Sequence, residues 1–145
     1  MCRYVFEMGG VSKSFRCTLE VRDYELDSQG IVNNAVYLNY LEHARHLFLR
    51  ETGQEFNDWH KKGIDPVVRR LEIEYRQSLQ GGDQFEIETW VEQKGYVRFL
   101  FHQRIVRGDE EVLTAVITVV FVRNGRPVQP PQEMVEALRE FSKQE

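Results

Sequence analysis

The sequence predicts an α+β domain in which a curved antiparallel sheet wraps around one long helix. One observation is a strand-like run followed directly by a long amphipathic helical run. Another is a series of four further strand-like runs joined by tight turns, which imply antiparallel neighbours. The third is size: 145 residues suffice for one substantial core and are short for two. The helical run carries too rich an apolar stripe to stand in water, so the sheet has to cover it.

Residues 1–13 show no sustained period and are expected to form a flexible segment ahead of a single domain over 14–145. In the run 14–21, Phe15, Cys17, Leu19 and Val21 alternate with Arg16, Thr18 and Glu20, the period of a strand with one buried face. From about residue 34 to 52, Tyr37, Tyr40, Leu41, Ala44, Leu47 and Phe48 recur at spacings of three and four, which makes one helical stripe. Asn33 or Asn34 is placed to cap its start, and Gly53 to end it. A short polar helix is expected around 57–62, stopping at Gly63.

The run 67–77 carries Leu71, Ile73 and Tyr75 on one face and Glu72, Glu74 and Arg76 on the other. Gly81-Gly82-Asp83 turns the chain into the alternation of Phe85, Ile87, Thr89 and Val91. Lys94-Gly95-Tyr96 leads to Val97, Phe99, Phe101 and Ile105, and Arg107-Gly108-Asp109-Glu110 is another turn. The run 112–122 is nearly all apolar or Thr, the pattern of a central strand covered on both faces. Asn124-Gly125 is a strong turn signal, and Pro127, Pro130 and Pro131 prevent continuation. Residues 132–142 read as a short terminal helix.

An apolar content of 41% and a charged content of 29% are those of an ordinary soluble protein. The net charge of -4 and the absence of a basic stripe interleaved with aromatics argue against nucleic acid as a partner. No apolar run is long enough to span a membrane, and the first residues lack the apolar segment of a signal peptide. Cys2 and Cys17 form no metal-like cluster. They are expected as reduced thiols, and the chain as cytoplasmic.

The stretch from Arg22 to Tyr37 joins the first strand to the long helix, and it holds the chemistry. Asp27 sits in the connecting loop, Gly30 lets that loop turn tightly, and Asn33 and Asn34 stand where the helix begins. The arrangement sets a carboxylate beside a helix N-terminus, where backbone N–H groups are free to bind an oxyanion. The helix end contributes about half a unit of positive charge. One aimed oxyanion donor is worth roughly 3–4 kcal/mol of barrier. Asp27, ionised at neutral pH, either attacks a carbonyl or activates a water. By local chemistry alone the same residues also suit a plain turn and helix cap.

The run Glu25-Leu26-Asp27-Ser28-Gln29-Gly30-Ile31-Val32-Asn33-Asn34, followed by Tyr37 and then Glu42-His43-Ala44-Arg45, resembles the hotdog-fold acyl thioesterases of the 4-hydroxybenzoyl-CoA thioesterase superfamily. The likeness looks closest to the plant acyl-ACP thioesterases that include the methylketone synthase type, and it runs from about Phe15 to Pro131. The resemblance implies a hotdog fold, with Asp27 as the catalytic aspartate and the backbone N–H of Asn34 polarising the thioester carbonyl. It also implies an active site at a subunit interface in a homodimer or homotetramer. Relatives often carry a His at the position of Val32 and an Asp at that of Glu25. This chain has neither, so no role transfers from that histidine.

Gly30 and Tyr37 are candidate substrate-binding residues, Tyr37 as core or as pocket wall. Lys94 and Arg98 flank Gly95-Tyr96-Val97 and are candidates for the phosphates of the carrier, with Arg123 and Arg126 the next pair. His43, His46 and Glu42 lie close on the helix but are too few and too uncertain in facing for a metal, and no cofactor is implied. Arg69 shares a face with Leu71, Ile73 and Tyr75, where a guanidinium calls for an ion pair or an interface. The expected function is hydrolysis of fatty acyl or β-ketoacyl thioesters of CoA or acyl carrier protein. The alternatives are a hydratase or dehydratase on the same fold, which needs a His that is missing between Asp27 and Tyr37, and a non-catalytic acyl-thioester binding module.

Overall fold

In the computed structural model, which describes residues 2–6 and 13–142, the long helical run is α1, Asn34–Glu51. The Asn33 side chain caps it by accepting from the Ala35 N–H at 3.0 Å. Its C-terminal turn closes through Thr52 into Gly53, whose φ of +84° lies in the left-handed region. The helix buries Tyr37, Tyr40, Leu41, Ala44, Phe48 and Leu49. Leu47 of the expected stripe is partly buried against the core, and Leu49 joins the buried face.

Among the described residues, seven strands form one antiparallel sheet: β1 Cys2–Phe6, β2 Lys13–Glu20, β3 Asp65–Tyr75, β4 Gln84–Lys94, β5 Arg98–Arg107, β6 Glu110–Arg123 and β7 Arg126–Pro127. Their order is β1-β2-β4-β5-β6-β3, with β7 paired to β6. Two short α-helices, α2 Phe56–Lys61 and α3 Gln132–Leu138, are also present among the described residues. One face of the sheet turns Phe15, Phe85, Ile87, Phe101, Ile105, Leu113 and Ile117 onto α1. Phe48 shows how tightly helix and sheet mesh, with its ring edge-on to Phe141 at 4.8 Å and to Phe101 at 6.3 Å. Truncating such a buried Phe to Ala costs about 3–5 kcal/mol.

The expected flexible segment over 1–13 is corrected in part. Cys2–Phe6 is a strand, antiparallel to β2, and 7–12 lie outside the described residues. Its pairing is nonlocal, so no local period announces it. The register sets Cys2 opposite Cys17, and Cys17 is disulfide-bonded rather than a reduced thiol. Sequence spacing alone does not show which cysteines face across a ladder.

Arg69 departs from the expected face. The β3–β6 register shifts between Val68 and Arg70, so Arg69 is the extra residue of a bulge. It lies exposed, with no ion pair among the described residues. The run 112–122 is less central than its composition implies. β6 is next to the edge, and its outer-face residues Thr114, Val116 and Thr118 are only half-buried.

One polar cluster sits inside the core. Gln103 of β5, 1% exposed, donates from Nε2 to the Leu41 carbonyl of α1 and to Thr89 Oγ1, both at 3.0 Å. Its Oε1 accepts from Arg45 Nη1 at 3.1 Å. Every polar atom of the amide thus has a partner, as burial requires. Arg45 gains no carboxylate contact from this, and burial pushes its guanidinium below the ordinary value.

Candidate active site

Chain geometry between β2 and α1 is set one hydrogen bond at a time. Val21 accepts from the Gly82 N–H and donates to the Asp83 carbonyl, which moors the end of β2 to the turn before β4. A single 3₁₀ turn, Asp23–Glu25, follows. Glu25 is buried at 8% exposure, and its Oε1 accepts from the Arg22 N–H at 2.7 Å and from the Tyr40 hydroxyl at 2.8 Å. Burial first, and the Glu25 carboxylate second, push the Tyr40 hydroxyl well above its ordinary pKa.

Leu26 and Val32 form an antiparallel bridge that closes the loop holding Asp27. Within it the Asp27 N–H reaches the Ile31 carbonyl at 2.8 Å, and the Gly30 N–H reaches the Asp27 carbonyl at 3.1 Å. Gly30 has φ +79°, which a side chain would strain, and the space above it is open. Asp27 Oδ1 accepts from the Gln29 N–H at 2.8 Å and the Ile31 N–H at 3.4 Å. No described group bonds Oδ2. The carboxylate is held by one oxygen and presents the other.

The loop leads straight into the helix. Asn33 donates its N–H to the Glu25 carbonyl at 3.1 Å, and Val32 to the Leu79 carbonyl at 2.9 Å. With the Ala35 N–H taken by the Asn33 side chain and the Val36 N–H by the Asn33 carbonyl, the Asn34 N–H is left without an acceptor among the described residues. Asp27 and the N–H of Asn34 thus belong to one tightly braced segment.

Tyr37 is core. It is 3% exposed, and its hydroxyl accepts from the Leu79 N–H at 3.0 Å. Burial is the main cause of its raised pKa. Of the two readings, core or pocket wall, the buried ring fits the first in the single chain, and it braces the segment that carries the loop. The aromatic packed on Tyr37 that faces outward is Tyr75, at the end of β3. It packs on Tyr37 at 5.5 Å between ring centroids, is 48% exposed, and its hydroxyl lies 3.4 Å from the Asn34 carbonyl.

Lys94 and Arg98 lie elsewhere. They pair across the β4–β5 ladder on the outer face of the sheet, away from the loop. There they line a groove with Arg69 and Arg70. A separate cavity of about 440 Å³ lies between the C-terminal half of α1, α2 and the start of β3. Leu49, Val68, Phe101, Val119 and Phe121 give it apolar walls, and Arg45, His46 and the pair His60–Asp65 a polar rim. Sequence reading missed this cavity because its walls come from four elements.

The sequence profile of the thioesterase-like superfamily matches residues 21–138. The chain is 35% identical over 128 residues to the chloroplastic acyl-acyl carrier protein thioesterase ATL2 of Arabidopsis thaliana, covering 86% of this chain and 68% of that protein. It is 29% identical over 132 residues to the acyl-CoA thioesterase YbgC of Haemophilus influenzae, covering 88% of this chain and 96% of the other. The crystal structure of a hypothetical protein from Aquifex aeolicus superposes with a TM-score of 0.81 at 32% identity, covering 86% of this chain and 99% of the other. With its sheet curled on a single long helix and its aspartate loop at the helix N-terminus, the chain belongs to the thioesterase-like superfamily of hotdog-fold thioester hydrolases.

Proposed function

We propose that the chain hydrolyses fatty acyl or β-ketoacyl thioesters carried on CoA or acyl carrier protein. The observation that carries this is the half-held carboxylate of Asp27, with Oδ2 free, in the same braced loop as the unpartnered Asn34 N–H. The Asn34 N–H and the helix end polarise the thioester carbonyl. Asp27 Oδ2 takes a proton from water as its oxygen bonds to the carbonyl carbon. The C–S bond then breaks, and the proton passes to the leaving thiolate. If Asp27 attacks directly, an acyl anhydride precedes hydrolysis. Gly30 keeps the approach to the loop open.

The working unit is at least a dimer. Among the described residues, four of the seven exposed large apolar side chains, Val67, Val68, Leu71 and Tyr75, lie on the edge strand β3. An unpaired edge of this kind pairs with its own copy about a twofold axis. Antiparallel β3–β3 pairing brings the start of one β3 to the end of the other. The 440 Å³ cavity beside the start of β3 then adjoins the partner subunit's loop and receives the acyl chain.

The test is thiol release from a panel of acyl-CoA and acyl-carrier-protein thioesters, with Asp27→Asn as control. Release by the wild type that collapses in a folded Asp27→Asn protein supports the assignment. Equal release by both removes Asp27 from it. In a single turnover in ¹⁸O-labelled water, label on Asp27 identifies direct attack with the anhydride opened at the aspartyl carbonyl, since a water activated by Asp27 labels only the product.

A further inference from the structure

A histidine–carboxylate pair lines the cavity beside the start of β3. His60 Nδ1 lies 2.7 Å from Asp65 Oδ1, and both residues border the 440 Å³ space. The backbone between them is a braced reversal. Trp59, 4% exposed, packs edge-on against Phe121 at 5.6 Å and pins α2 to the sheet. The Gly63 N–H closes on the His60 carbonyl and the Ile64 N–H on the Trp59 carbonyl, both at 2.9 Å. Asp65 then opens β3 opposite Val122 of β6. An ionised carboxylate only accepts, so Nδ1 carries the ring hydrogen and Nε2 is the nitrogen that takes up and gives back a proton. Nε2 has no partner among the described residues. In the single chain both side chains are exposed, where an ion pair adds little to stability.

We infer that His60, oriented by Asp65, is the base for the hydrolytic water at the Asp27 loop of the partner subunit. The inference rests on the thioesterase reading above and on its β3–β3 dimer. Within one chain the pair is out of reach. Asp65 and Tyr75 are the two ends of β3, roughly 33 Å apart at about 3.3 Å per residue, and it is Tyr75 that touches Asn34 at the helix N-terminus. Antiparallel pairing sets the Asp65 end of one β3 against the Tyr75 end of the other. The dyad of one protomer then faces the Asp27 loop of its partner, a loop with no imidazole of its own.

A second base releases Asp27 for direct attack. As Asp27 Oδ2 bonds to the thioester carbon, the C–S bond breaks, its electron pair leaves with sulfur, and an acyl–aspartyl anhydride remains. Asp27 is then no longer a free carboxylate that can accept a proton from water. Glu25, the other acid beside the loop, is buried and already takes the Arg22 N–H and the Tyr40 hydroxyl. His60 Nε2 takes the proton as the water oxygen bonds to the anhydride, and the anhydride C–O bond breaks. The imidazolium passes that proton to the thiolate. Carboxylic acid, thiol, Asp27 carboxylate and neutral imidazole result, with nothing left over.

Thiol release from the fatty acyl-CoA that the wild type hydrolyses fastest, together with the intact mass of the protein, tests this. Folded His60→Gln and His60→Ala proteins are expected to keep the wild-type Tm and to lose at least about a hundredfold in kcat. They are expected to accumulate the acyl group in the steady state, as a mass increment that hydroxylamine removes. Added imidazole is expected to raise the rate of His60→Ala and not that of Asp27→Asn. Asp65→Asn, which lets the ring take its other tautomer, is expected to fall between His60→Gln and the wild type. Co-expressed Asp27→Asn and His60→Ala chains are expected to recover up to about a quarter of the wild-type rate, since about half of the dimers are mixed and each of those holds a single complete site.

Wild-type kcat in the His60 variants overturns the assignment and leaves the thioesterase reading standing, provided that Asp27→Asn has lost activity. A slowed variant that neither carries acyl mass nor responds to imidazole also overturns it. Failure of the mixed dimers to regain activity overturns the sharing between subunits. A wild type that releases no thiol from any thioester removes the thioesterase reading, and the role of the dyad with it.

Discussion

The Tyr40 hydroxyl donates to Glu25 Oε1 at 2.8 Å, joining the middle of the first half of α1 to the turn before the Asp27 loop. Both residues are buried, at 4% and 8% exposure. A hydrogen bond to a charged group is worth about 1.5–3 kcal/mol. Tyr40→Phe should therefore lower the unfolding free energy by about that amount, read from urea denaturation. Glu25→Gln keeps an acceptor oxygen for Tyr40 and for the Arg22 N–H, so it should cost less. Both should lower kcat more than they change KM, since the contact braces the loop and touches no substrate.

Asp27 separates chemistry from loop structure. Asp27→Asn keeps an oxygen for the Gln29 N–H and removes the charge. It should melt within a degree or two of the wild type and lose at least about a hundredfold in kcat. Asp27→Ala also removes the turn and should cost about 1 kcal/mol in stability besides. Equal kcat in wild type and Asp27→Asn would exclude the carboxylate from the reaction.

The exposed edge gives a prediction on assembly. Leu71→Lys and Val68→Lys place charge on β3 residues that are 42% and 51% exposed in the single chain. In a monomer such changes are close to neutral. In a β3–β3 dimer they bury unpaired ammonium groups, so light scattering should show dissociation at micromolar concentration, with activity lost in parallel. A dimer that persists with full activity would place the interface elsewhere.

Asp83 predicts an acid limb to stability. The Gln80 N–H, and then Arg107 at 2.7 Å, hold its carboxyl below the ordinary value of 3.8. The unfolded chain therefore binds the proton first as pH falls. The stabilisation is complete above about pH 4 and is lost as pH falls through the folded-state pKa. The Tm gap between wild type and Asp83→Asn should be constant at neutral pH and close on acidification. A gap independent of pH would show that charge is not involved.

Much of this was legible because it is local. The stripe of Tyr37, Tyr40, Leu41 and Ala44 placed α1 within a residue at each end, and Asp27, Gly30 and Asn33 placed the loop. What escaped is nonlocal. Cys2–Phe6 is a strand only because β2 lies beside it. Tyr37 was open between two roles until Leu79, from a distant turn, took its hydroxyl. Arg69 seemed to share the face of Leu71 because alternation assumes an unbroken ladder; one extra residue at the bulge ends that parity. Arg70 drew no attention in the sequence, and its place beside Lys94 and Arg98 exists only across three strand pairings.

Apolar contact is non-directional, so a helix lying in a greasy trough has little to stop it sliding or rolling by a fraction of a turn. Gln103 supplies the missing detent. Its amide hooks the Leu41 carbonyl and Arg45, one helical turn apart, and it is itself anchored on Thr89. Any axial creep of α1 breaks buried hydrogen bonds that water does not replace. The helix is thereby indexed against the sheet, and the Asn34 N–H at its tip keeps its position relative to the loop that carries Asp27.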